Sequence, residues 1–482
     1  MPCLDGGARL AAPSSVTDTR IAFLLGLALI TVACGSGDDD TATGGPGTSG
    51  AGAGSTSSAS GAAGPGGQGA AGSSSSGAGG SGAIGGGSID CAPLPPPSGN
   101  KIMVTPAQAA DLPGIVSSAP EGATLVLEAG TYALPATLQL ATPGVTLRSA
   151  TDDPASVVID ATYTVNEALA ITASDVTVAH VTVTRAIDHP IHVYPPAAGQ
   201  NVTGTRIYGV WLIDGGEQFL KVNPIVGQDG YIDEGRVECS LFRMTDAGRP
   251  HVESCCGGCY TGGIDVHAGW KWVVRANRFE GIHCSASGLA EHAIHFWKGA
   301  RDTLVENNTI VDCARGIGFG LGDGAGQRVY PDAPYGGAQL AHYDGIIRNN
   351  VVWADTSEYD TGIELDETRE PLVVHNTVVH GPGATAFFSS IDYRFDTTQV
   401  TLANNLTDKI TARDGAMASE MNDLQGADLG LFVNAAQLDF HLGASAASAI
   451  DKGVVVDQAG VDMDGQTHDV GAPDIGADER TP

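Results

Sequence analysis

The sequence predicts an all-β fold, a right-handed, single-stranded parallel β-helix of about ten coils with an N-terminal capping helix, preceded by a disordered linker. The first observation is a repeat: "VVRANRFEG", "LVENNTIVDC", "IIRNNVVWAD", "VVHNTVVHG" and "TLANNLTDK" each join two short apolar runs through an asparagine. The second is that no segment sustains a helical period, which argues against leucine-rich, ankyrin and helical repeats. Because one such unit is too small to bury its own apolar face, the units must stack.

The chain is predicted to have three regions, of which the first, residues 1–33, is a signal peptide. Residues 21–33 read "IAFLLGLALITVA", an uncharged run shorter than the roughly 20 residues that a membrane helix needs. The run "ITVAC" resembles the lipobox of bacterial lipoproteins, in which the cysteine is lipidated and becomes the new N terminus. The resemblance implies an acyl anchor on Cys34 and an exported protein held at the cell envelope, at the outer membrane or cell surface.

The second region, residues 34–90, is predicted to be a disordered tether. From 41 to 88 it consists almost entirely of Gly, Ser and Ala, which cannot bury a core. The third region, residues 91–482, is the β-helix domain. We expect the tether to display this domain away from the membrane.

The β-helix domain is predicted to begin with a cap and to be held by a ladder. The segment "TPAQAADLPGIVSSAP" is typical of a capping helix, which covers the open edge of the first coil. The repeated asparagines align on one turn, where stacked amides hydrogen-bond along the axis. We interpret these residues as structural rather than as ligands: Asn277, Asn308, Asn350, Asn376 and Asn405.

The charge balance limits the classes of partner. Lys and Arg together number 24 against 55 Asp and Glu, which gives a net charge of -31 among 482 residues. We therefore expect no nucleic-acid partner. The same charge repels acidic polysaccharides unless cations or a local basic patch intervene.

A column of polar residues runs up one predicted sheet. The third strands of successive coils read "PIHVY", "FLKVN", "GIDVH", "AIHFW", "GIGFG", "GIELD" and "AFFSS", and their alternating apolar residues point inward. The first outward column, which we name the polar stripe, is His192, Lys221, Asp265, His295, Gly318, Glu364 and Phe388. The second column is Tyr194, Asn223, His267, Trp297, Gly320, Asp366 and Ser390. Neighbouring strands lie about 4.8 Å apart, so Asp265 is expected to orient the imidazole of His295.

The two columns contain the candidate catalytic residues, which are Lys221, Asp265, His295, Glu364 and Asp366. Glu364 and Asp366 are expected about 6.6 Å apart, near the lower end of the window for inverting glycosidases. Gly318 and Gly320 are expected to leave a bare floor between His295 and Glu364, on which a sugar ring fits.

The candidate substrate-binding residues surround this floor. Trp297 offers an apolar ring to a sugar. The loop "GLGDGAGQRVYPDAPYGGAQLAHY" leaves the same coil, and long loops on a regular scaffold are usually functional or disordered. The full set is His267, Trp297, Lys298, Arg315, Gly318, Gly320, Tyr330 and Tyr335. The alternative is a solvated face whose mixed charges prevent edge pairing.

The cysteines predict disulfides, the default in an exported protein. Of nine cysteines, Cys3 lies in the signal peptide and Cys34 is the predicted lipidation site, which leaves seven and thus one unpaired thiol. Cys284 and Cys313 follow adjacent asparagine rungs at similar offsets, so we predict that they lie close together, near enough for a bridge. Zinc at "CCGGC" is disfavoured, because no second pair of ligands has the required spacing.

Both ends of the domain resemble known β-helix proteins. The segment "GATLVLEAGTYALPATLQLATPGVTLRSA" resembles the first strands of the pectate-lyase-like superfamily, with its "GTY" turn. The segments "LGLFVNAAQLDFHLGASAASAIDKG" and "DMDGQTHDVGAPDIGADE" resemble the end of bacterial choice-of-anchor Q proteins. The resemblance implies the fold, export and a carbohydrate partner, but no single activity, because one superfamily holds lyases, hydrolases, epimerases and adhesins. Asp462 and Asp464 are interpreted as an acidic turn, with calcium binding as the alternative.

Three functions remain open for what we expect to be a monomer with a polysaccharide partner. A polysaccharide lyase needs a base and a cation beside the uronate, for which the candidates are Lys221, His295 and Arg315. Ca²⁺ held by acidic residues is the candidate cofactor of that reaction. A glycoside hydrolase would use Asp265, Glu364 and Asp366. The third function is non-catalytic, either glycan binding or a structural role in the envelope.

Overall fold

The structure is a computed structural model, and it describes residues 91–225, 229–255, 259–285, 288–322 and 328–481. The predicted signal peptide, the lipidation site Cys34 and the tether lie outside these residues, as does Cys256. Within the described part of the chain, none of the helices is long and apolar enough to span a membrane.

The described residues form a parallel β-helix, as predicted. Each coil passes in turn through three sheets, which we number 1 to 3, and strands of successive coils pair in parallel. Sheet 1, which carries the polar stripe, has ten strands, in agreement with the predicted number of coils. Its strands are Leu138–Leu140, Glu167–Ile171, His189–Val193, Gln218–Val222, Gly262–His267, His292–Trp297, Arg315–Phe319, Thr361–Asp366, Ser389–Arg394 and Ile410–Arg413.

Sheets 2 and 3 complete each coil. The strands of sheet 2 are Lys101–Val104, Thr124–Leu127, Thr146–Ser149, Thr177–Ala179, Arg206–Tyr208, Arg236–Glu238, Val273–Arg275, Ala300–Arg301, Leu304–Glu306, His342–Tyr343, Ile346–Arg348, Thr368–Val374, Gln399–Ala403 and Met417–Met421. Those of sheet 3 are Gly130–Ala133, Val157–Asp160, Thr182–Thr184, Trp211–Ile213, Leu241–Arg243, Arg278–Glu280, Thr309–Val311, Val351–Ala354, Thr377–His380, Leu406–Thr407 and Leu424–Gln425. Two short pairs stand apart, Val202–Thr203 with Ile232–Asp233 and Phe432–Asn434 with Asp439–Leu442.

The inward positions of sheet 1 build part of the core. Five isoleucines are direct register partners on successive strands and are fully buried, namely Ile264, Ile294, Ile317, Ile363 and Ile391. Burial of one such side chain contributes about 1.5–3 kcal/mol. A shift of one residue would turn this stack toward solvent, so the stack selects the register. The opposite face of the same strands then carries the polar residues.

The predicted asparagine ladder is confirmed. The amide of Asn277 donates to Asn308 Oδ1 at 3.0 Å, and the same bond of 2.9–3.0 Å continues through Asn350 and Asn376 to Asn405. All five side chains are at most 2 % exposed. Since every amide is engaged along the axis, these residues hold successive coils in register, as interpreted from the sequence.

The predicted N-terminal cap is also confirmed. A 3₁₀ helix, Pro106–Asp111, continues directly into an α-helix, Leu112–Ser117. Leu112 and Val116 are buried on the side that packs against the strand Leu138–Leu140. The remaining short helices are Pro154–Ser156, Arg249–Cys255, Pro334–Gly337, Leu429–Leu431 and Ala435–Gln437.

The C-terminal segment packs on the outer face of sheet 3. The antiparallel pair of Phe432–Asn434 and Asp439–Leu442 packs on Trp353 and Val379 of sheet 3. Beyond it, the carboxylate of Asp462 accepts three backbone amides at 2.6–3.0 Å, those of Asp464, Gln466 and Glu479. This is the acidic turn that the sequence favoured.

The last part of the chain is bonded to the turn that precedes the ladder. Asn307, Asn349, His375 and Asn404 occupy this turn in successive coils, with φ between 53° and 55°. Asparagine tolerates this left-handed backbone better than most residues. The three asparagine amides donate at 2.6–2.7 Å to carbonyls of the C-terminal segment, those of Asp462, Ala459 and Val454.

His375 should make the stability of the protein depend on pH. Burial, followed by the neighbouring His468, lowers the pKa of His375 to about 3, whereas an unfolded histidine titrates near 6.5. The unfolded chain therefore binds the proton first, and stability falls as the pH falls below 6.5. Between pH 7 and pH 5 the loss is about 2 kcal/mol. The measurement is the free energy of unfolding in urea at pH 7 and at pH 5. Between these pH values His375→Asn should lose about 2 kcal/mol less stability than the wild-type protein loses. Equal losses would contradict the assignment of this pH dependence to His375.

The predicted proximity of Cys284 and Cys313 does not produce a bridge. Cys284 is bonded to Cys259, and Cys91 to Cys239, whereas Cys313 is a buried free thiol. Similar offsets along two coils were an insufficient signal, because a disulfide also needs Cβ atoms that face each other. Burial raises the pKa of the Cys313 thiol to about 12, which leaves it a poor nucleophile. The bridge at Cys259 also removes that residue from any zinc site at "CCGGC".

Candidate functional site

Sheet 1 assembles six of the seven predicted members of the polar stripe. Direct register partners on successive strands are His192, Lys221, Asp265, His295, Gly318 and Glu364. The seventh position was wrong: Asp392, not Phe388, pairs with Glu364, and Arg394, not Ser390, stands opposite Asp366. The strand is "SSIDYR" rather than "AFFSS", and Phe388 precedes it.

The stripe is buried rather than open to solvent. Lys221 and Asp265 are each 4 % exposed and His295 is 2 % exposed. Side chains of the second column cover them, since His267 and Trp297 both reach the carboxylate of Asp265. Neither the open groove nor the solvated face that the sequence allowed describes this part of the sheet.

An ion pair occupies the middle of the stripe. The Lys221 ammonium donates to Asp265 Oδ2, and the indole of Trp297 donates to Oδ1 at 2.7 Å. Burial opposes both charges, but their mutual attraction outweighs it. The pKa of Lys221 is therefore raised and that of Asp265 is held well below its usual range. In this arrangement Lys221 keeps its proton and does not act as a base.

His295 is neutral and fixed in orientation. Its Nε2 lies 3.0 Å from the carbonyl oxygen of Gly320, and its ring stacks on Trp297 with the ring planes 5° apart. Burial, followed by the neighbouring His292, lowers the pKa of His295 to about 3. Its Nδ1 lies 3.7 Å from Asp265 Oδ1, so the predicted proximity of this pair is confirmed but no hydrogen bond forms.

The bare floor predicted at Gly318 is not empty. The ring of His292 lies over it, and a Cβ atom at Gly318 would come within 2.8 Å of three ring atoms. Gly320 has a φ of +86°, and a Cβ there would meet the carbonyl of Asp366. Glycine is thus required for the close approach of a side chain and of backbone, and not to make room for a sugar.

His292 is a site residue that the sequence reasoning missed. It lies three residues before His295, so strict alternation would place the two rings on opposite faces of the sheet. Their centroids are nevertheless 4.6 Å apart, and His292 Nε2 lies 3.0 Å from Glu364 Oε2. Two histidines in the stretch "EHAIH" were the signal that could have identified it.

Glu364, Asp366 and Asp392 form a carboxylate cluster. One oxygen of each lies within 4.8 Å of the others, closer than the expected spacing of inverting glycosidases. Arg394 Nε is 3.0 Å from both oxygens of Asp366, and Arg413 Nε is 2.9 Å from Asp392. Carboxylates are the ligands that Ca²⁺ prefers, but here two of the three are occupied by arginines. The Ca²⁺ cofactor stays a prediction.

The surroundings of Glu364 and Asp366, which lie on one strand, shift their pKa values in opposite directions. Burial would raise the pKa of Glu364, but the hydrogen bond to His292 and the charge of Arg315 outweigh it and lower the pKa below its usual range. Burial and the neighbouring Glu364 raise the pKa of Asp366. Glu364 is therefore ionised, and it is also the more exposed of the two, at 8 % against 0 %.

Aromatic and cationic side chains form a partly exposed rim around the stripe. Tyr260 is 43 % exposed, and Trp297 and Phe388 are half-buried. The ammonium of Lys298 lies 4.6 Å from the centre of the Trp297 ring. Arg315, with a side chain 21 % exposed, lies 4.0 Å from Glu364.

The long loop contributes less to the stripe than expected. Tyr330 is buried and donates to the carbonyl of Gly299 at 2.9 Å. Arg328 pairs with both carboxylate oxygens of Asp233, and the hydroxyl of Tyr335 bonds to Asp344. The described part of the loop is thus bonded beside sheet 2, and these contacts do not place either tyrosine on the stripe.

Comparisons with known proteins find similarity only among solved structures, because no family model and no curated protein matches the chain. The chain is similar to pectate lyase Pel9A, with a TM-score of 0.46 and 14 % identity over 80 % of this chain and 97 % of that chain. For the alginate lyase from Paenibacillus sp. str. FPU-7 the TM-score is 0.38 and the identity 13 %, over 61 % and 99 %. For the Dettilon tailspike protein they are 0.37 and 15 %, over 68 % and 67 %. Likenesses this remote carry no argument about activity.

Proposed function

We propose that the protein is a carbohydrate-active β-helix protein that binds a polysaccharide over sheet 1 and hydrolyses it at Glu364. The observation that carries the proposal is the position of this residue. Its carboxylate belongs to the buried cluster, yet at 8 % it is more exposed than Asp265, Asp366 or Asp392. Among these four carboxylates of sheet 1, Glu364 is therefore the one nearest to solvent.

Further carboxyl groups surround the same surface. Hydrolysis of a glycosidic bond generally uses two carboxyl groups that flank it. Arg315 lies 4.0 Å from Glu364, 4.0 Å from Glu291 and 3.8 Å from Asp360. The side chains of Glu291 and Asp360 are each 30 % exposed. A sugar seated over Arg315 would thus have Glu364 and a second, accessible carboxyl group within reach.

The aromatic rim supplies the binding surface in this proposal. Sugar rings present apolar C–H faces that pack on aromatic side chains. Tyr260, Trp297 and Phe388 are partly exposed at intervals along sheet 1, as an extended chain of sugars requires.

Elimination is the second candidate, and Arg315 favours it, because a partly exposed guanidinium binds the carboxylate of an acidic sugar. The difficulty is that elimination needs a base to remove a proton from the sugar. Lys221 donates to Asp265, and His295 is 2 % exposed. We therefore place hydrolysis first and elimination second, with non-catalytic glycan binding as the remaining outcome.

Glu364→Gln should reduce turnover at least about 100-fold on a polysaccharide that the wild-type protein cleaves. The measurement is product analysis on a panel of neutral and acidic polysaccharides, with and without Ca²⁺. The matched control is Glu306→Gln, since Glu306 is a similarly buried, arginine-paired carboxylate on sheet 2. New reducing ends without unsaturation support hydrolysis, and unsaturated uronates support elimination. Equal turnover by Glu364→Gln at equal thermal stability would remove Glu364 from the mechanism.

We also propose that the protein is exported and tethered through an acylated Cys34. Its support is the "ITVAC" run together with two disulfides in the described residues, because disulfides persist in oxidising compartments. Cys34→Ser should move the protein from the membrane fraction to the soluble fraction. Continued sedimentation with membranes would indicate a different anchor.

A further inference from the structure

Two histidines and a glutamate converge next to Gly318, outside the carboxylate cluster. One side-chain ligand atom from each of Glu291, His292 and His295 lies within 4.8 Å of the others. Both histidines are buried, at 1 % and 2 % exposure, while Glu291 reaches solvent. Because its histidines are buried, this group differs from a cluster of surface carboxylates. Whether it can bind a ligand depends on which nitrogen of each histidine ring carries the proton.

His292 has a buried nitrogen lone pair with no partner. Its Nε2 lies 3.0 Å from the carboxylate of Glu364, and an ionised carboxylate only accepts, so Nε2 carries the proton. The other nitrogen, Nδ1, is then an acceptor, and it is buried without a hydrogen-bond partner. Buried acceptors are normally satisfied, because leaving one unpaired costs about 1–3 kcal/mol.

His295 has its proton on the same ring nitrogen as His292. Its Nε2 lies 3.0 Å from the carbonyl oxygen of Gly320, which also only accepts, so the proton is again on Nε2. The lone pair of Nδ1 is left facing Asp265 Oδ1 at 3.7 Å. Two hydrogen-bond acceptors that face each other repel. A cation beside Nδ1 would remove this repulsion, because it attracts both the nitrogen lone pair and the carboxylate oxygen.

We propose that His292 Nδ1, His295 Nδ1 and the Glu291 carboxylate bind a divalent transition-metal ion of the Zn²⁺ class. Histidines that bind metals commonly donate their other N–H to a carboxylate or a carbonyl, and Glu364 and Gly320 provide one of each. Two imidazoles with one carboxylate form a donor set that suits Zn²⁺ better than Ca²⁺, which prefers oxygen ligands.

The geometry requires a small closure. Ligand atoms around a tetrahedral Zn²⁺ stand about 3–3.5 Å apart, whereas one ligand atom from each of the three residues lies within 4.8 Å of the others. Glu291 is the member able to move, because its side chain is 30 % exposed. The His292 ring lies over Gly318, and both rings are held by their Nε2 hydrogen bonds. The proposal does not depend on carbohydrate activity, since the site is defined by metal binding alone.

The test is calorimetric titration of Zn²⁺ into the full chain after removal of metals with a chelator. We expect one ion per chain, with affinity reduced at least about tenfold in Glu291→Gln and in His292→Gln. Glu291→Gln changes a partly exposed residue, so its folding is not in question, and thermal unfolding checks His292→Gln. The control is His441→Gln, because His441, Asp464 and Asp478 form the other histidine-containing group of this kind in the described residues.

The outcomes separate clearly. Loss in the first two variants with full binding by His441→Gln supports the site. Binding that survives Glu291→Gln unchanged, binding lost in His441→Gln, or no binding by the wild-type protein overturns it. In a parallel titration, displacement of Zn²⁺ by equimolar Ca²⁺ would overturn the assignment to a transition metal.

Discussion

Replacing Lys221 with methionine is expected to lower the free energy of unfolding by about 3–5 kcal/mol. Methionine fills a similar volume, but it removes the charge that compensates Asp265. That carboxylate is 4 % exposed and would retain only the neutral donors His267 and Trp297. Removal of one partner from a buried ion pair costs more than removal of both, because the remaining charge is left uncompensated. The measurement is urea-induced unfolding of the wild-type and variant proteins.

The control for this prediction is the double variant Lys221→Met/Asp265→Asn. Without the carboxylate there is no uncompensated charge, so at least half of the lost stability should return. If the single variant is as stable as the wild type, the ion pair contributes nothing net, and Asp265 tolerates its loss by protonation or hydration. A double variant less stable than the single one would indicate that packing, rather than charge, is the role of these side chains.

The second large effect is expected from the middle of the asparagine ladder. Asn350→Ala should cost roughly 3–6 kcal/mol, because several buried groups lose a partner at once. The Asn350 side chain donates to carbonyls of Val305 and Arg348 and to Asn376 Oδ1, and it accepts the backbone and side-chain amides of Asn308. The measurement is again the free energy of unfolding in urea.

The end of the ladder provides the comparison. Asp423 accepts the two amides of Asn405 but is only partly buried, so water can replace it in Asp423→Ala. We expect that variant to lose clearly less stability than Asn350→Ala. Equal losses would mean that the ladder acts as one unit, whereas a small loss at Asn350 would mean that the coils hold their register without it.

Sequence reasoning was most successful for features that depend on the residues of a single coil. The alternation of apolar residues in "GIDVH" and "AIHFW" identified which side chains point outward, and the register places Asp265 beside His295 as expected. The same rule failed at "AFFSSIDYR", where two overlapping segments both alternate acceptably. The choice between them depends on the pairing with Thr361–Asp366, the sheet 1 strand of the preceding coil. That pairing places Asp392 beside Glu364.

The site was less predictable than the fold, because its chemistry depends on contacts between coils. The alternation says that Lys221 and His295 leave the core, but it does not say that Trp297 and His267 cover them. It also excludes His292 from the stripe, although the ring of this residue occupies the space over Gly318. Gly318 therefore correctly indicated that another group approaches the strand closely. The group is the His292 ring and not the sugar that was predicted.

The sequence by itself determined the coils, the ladder of asparagines, the N-terminal cap and the outward column of sheet 1. These features repeat with each coil and follow from side-chain alternation and from turn residues that are adjacent in the chain. Only the tertiary structure decided that the column is buried, that Lys221 pairs with Asp265, that Cys259 rather than Cys313 bridges Cys284, and that Glu364 is the most exposed carboxylate of its cluster. The physical reason is that burial, charge pairing and disulfide geometry depend on distances between residues of different coils, which the local pattern does not contain.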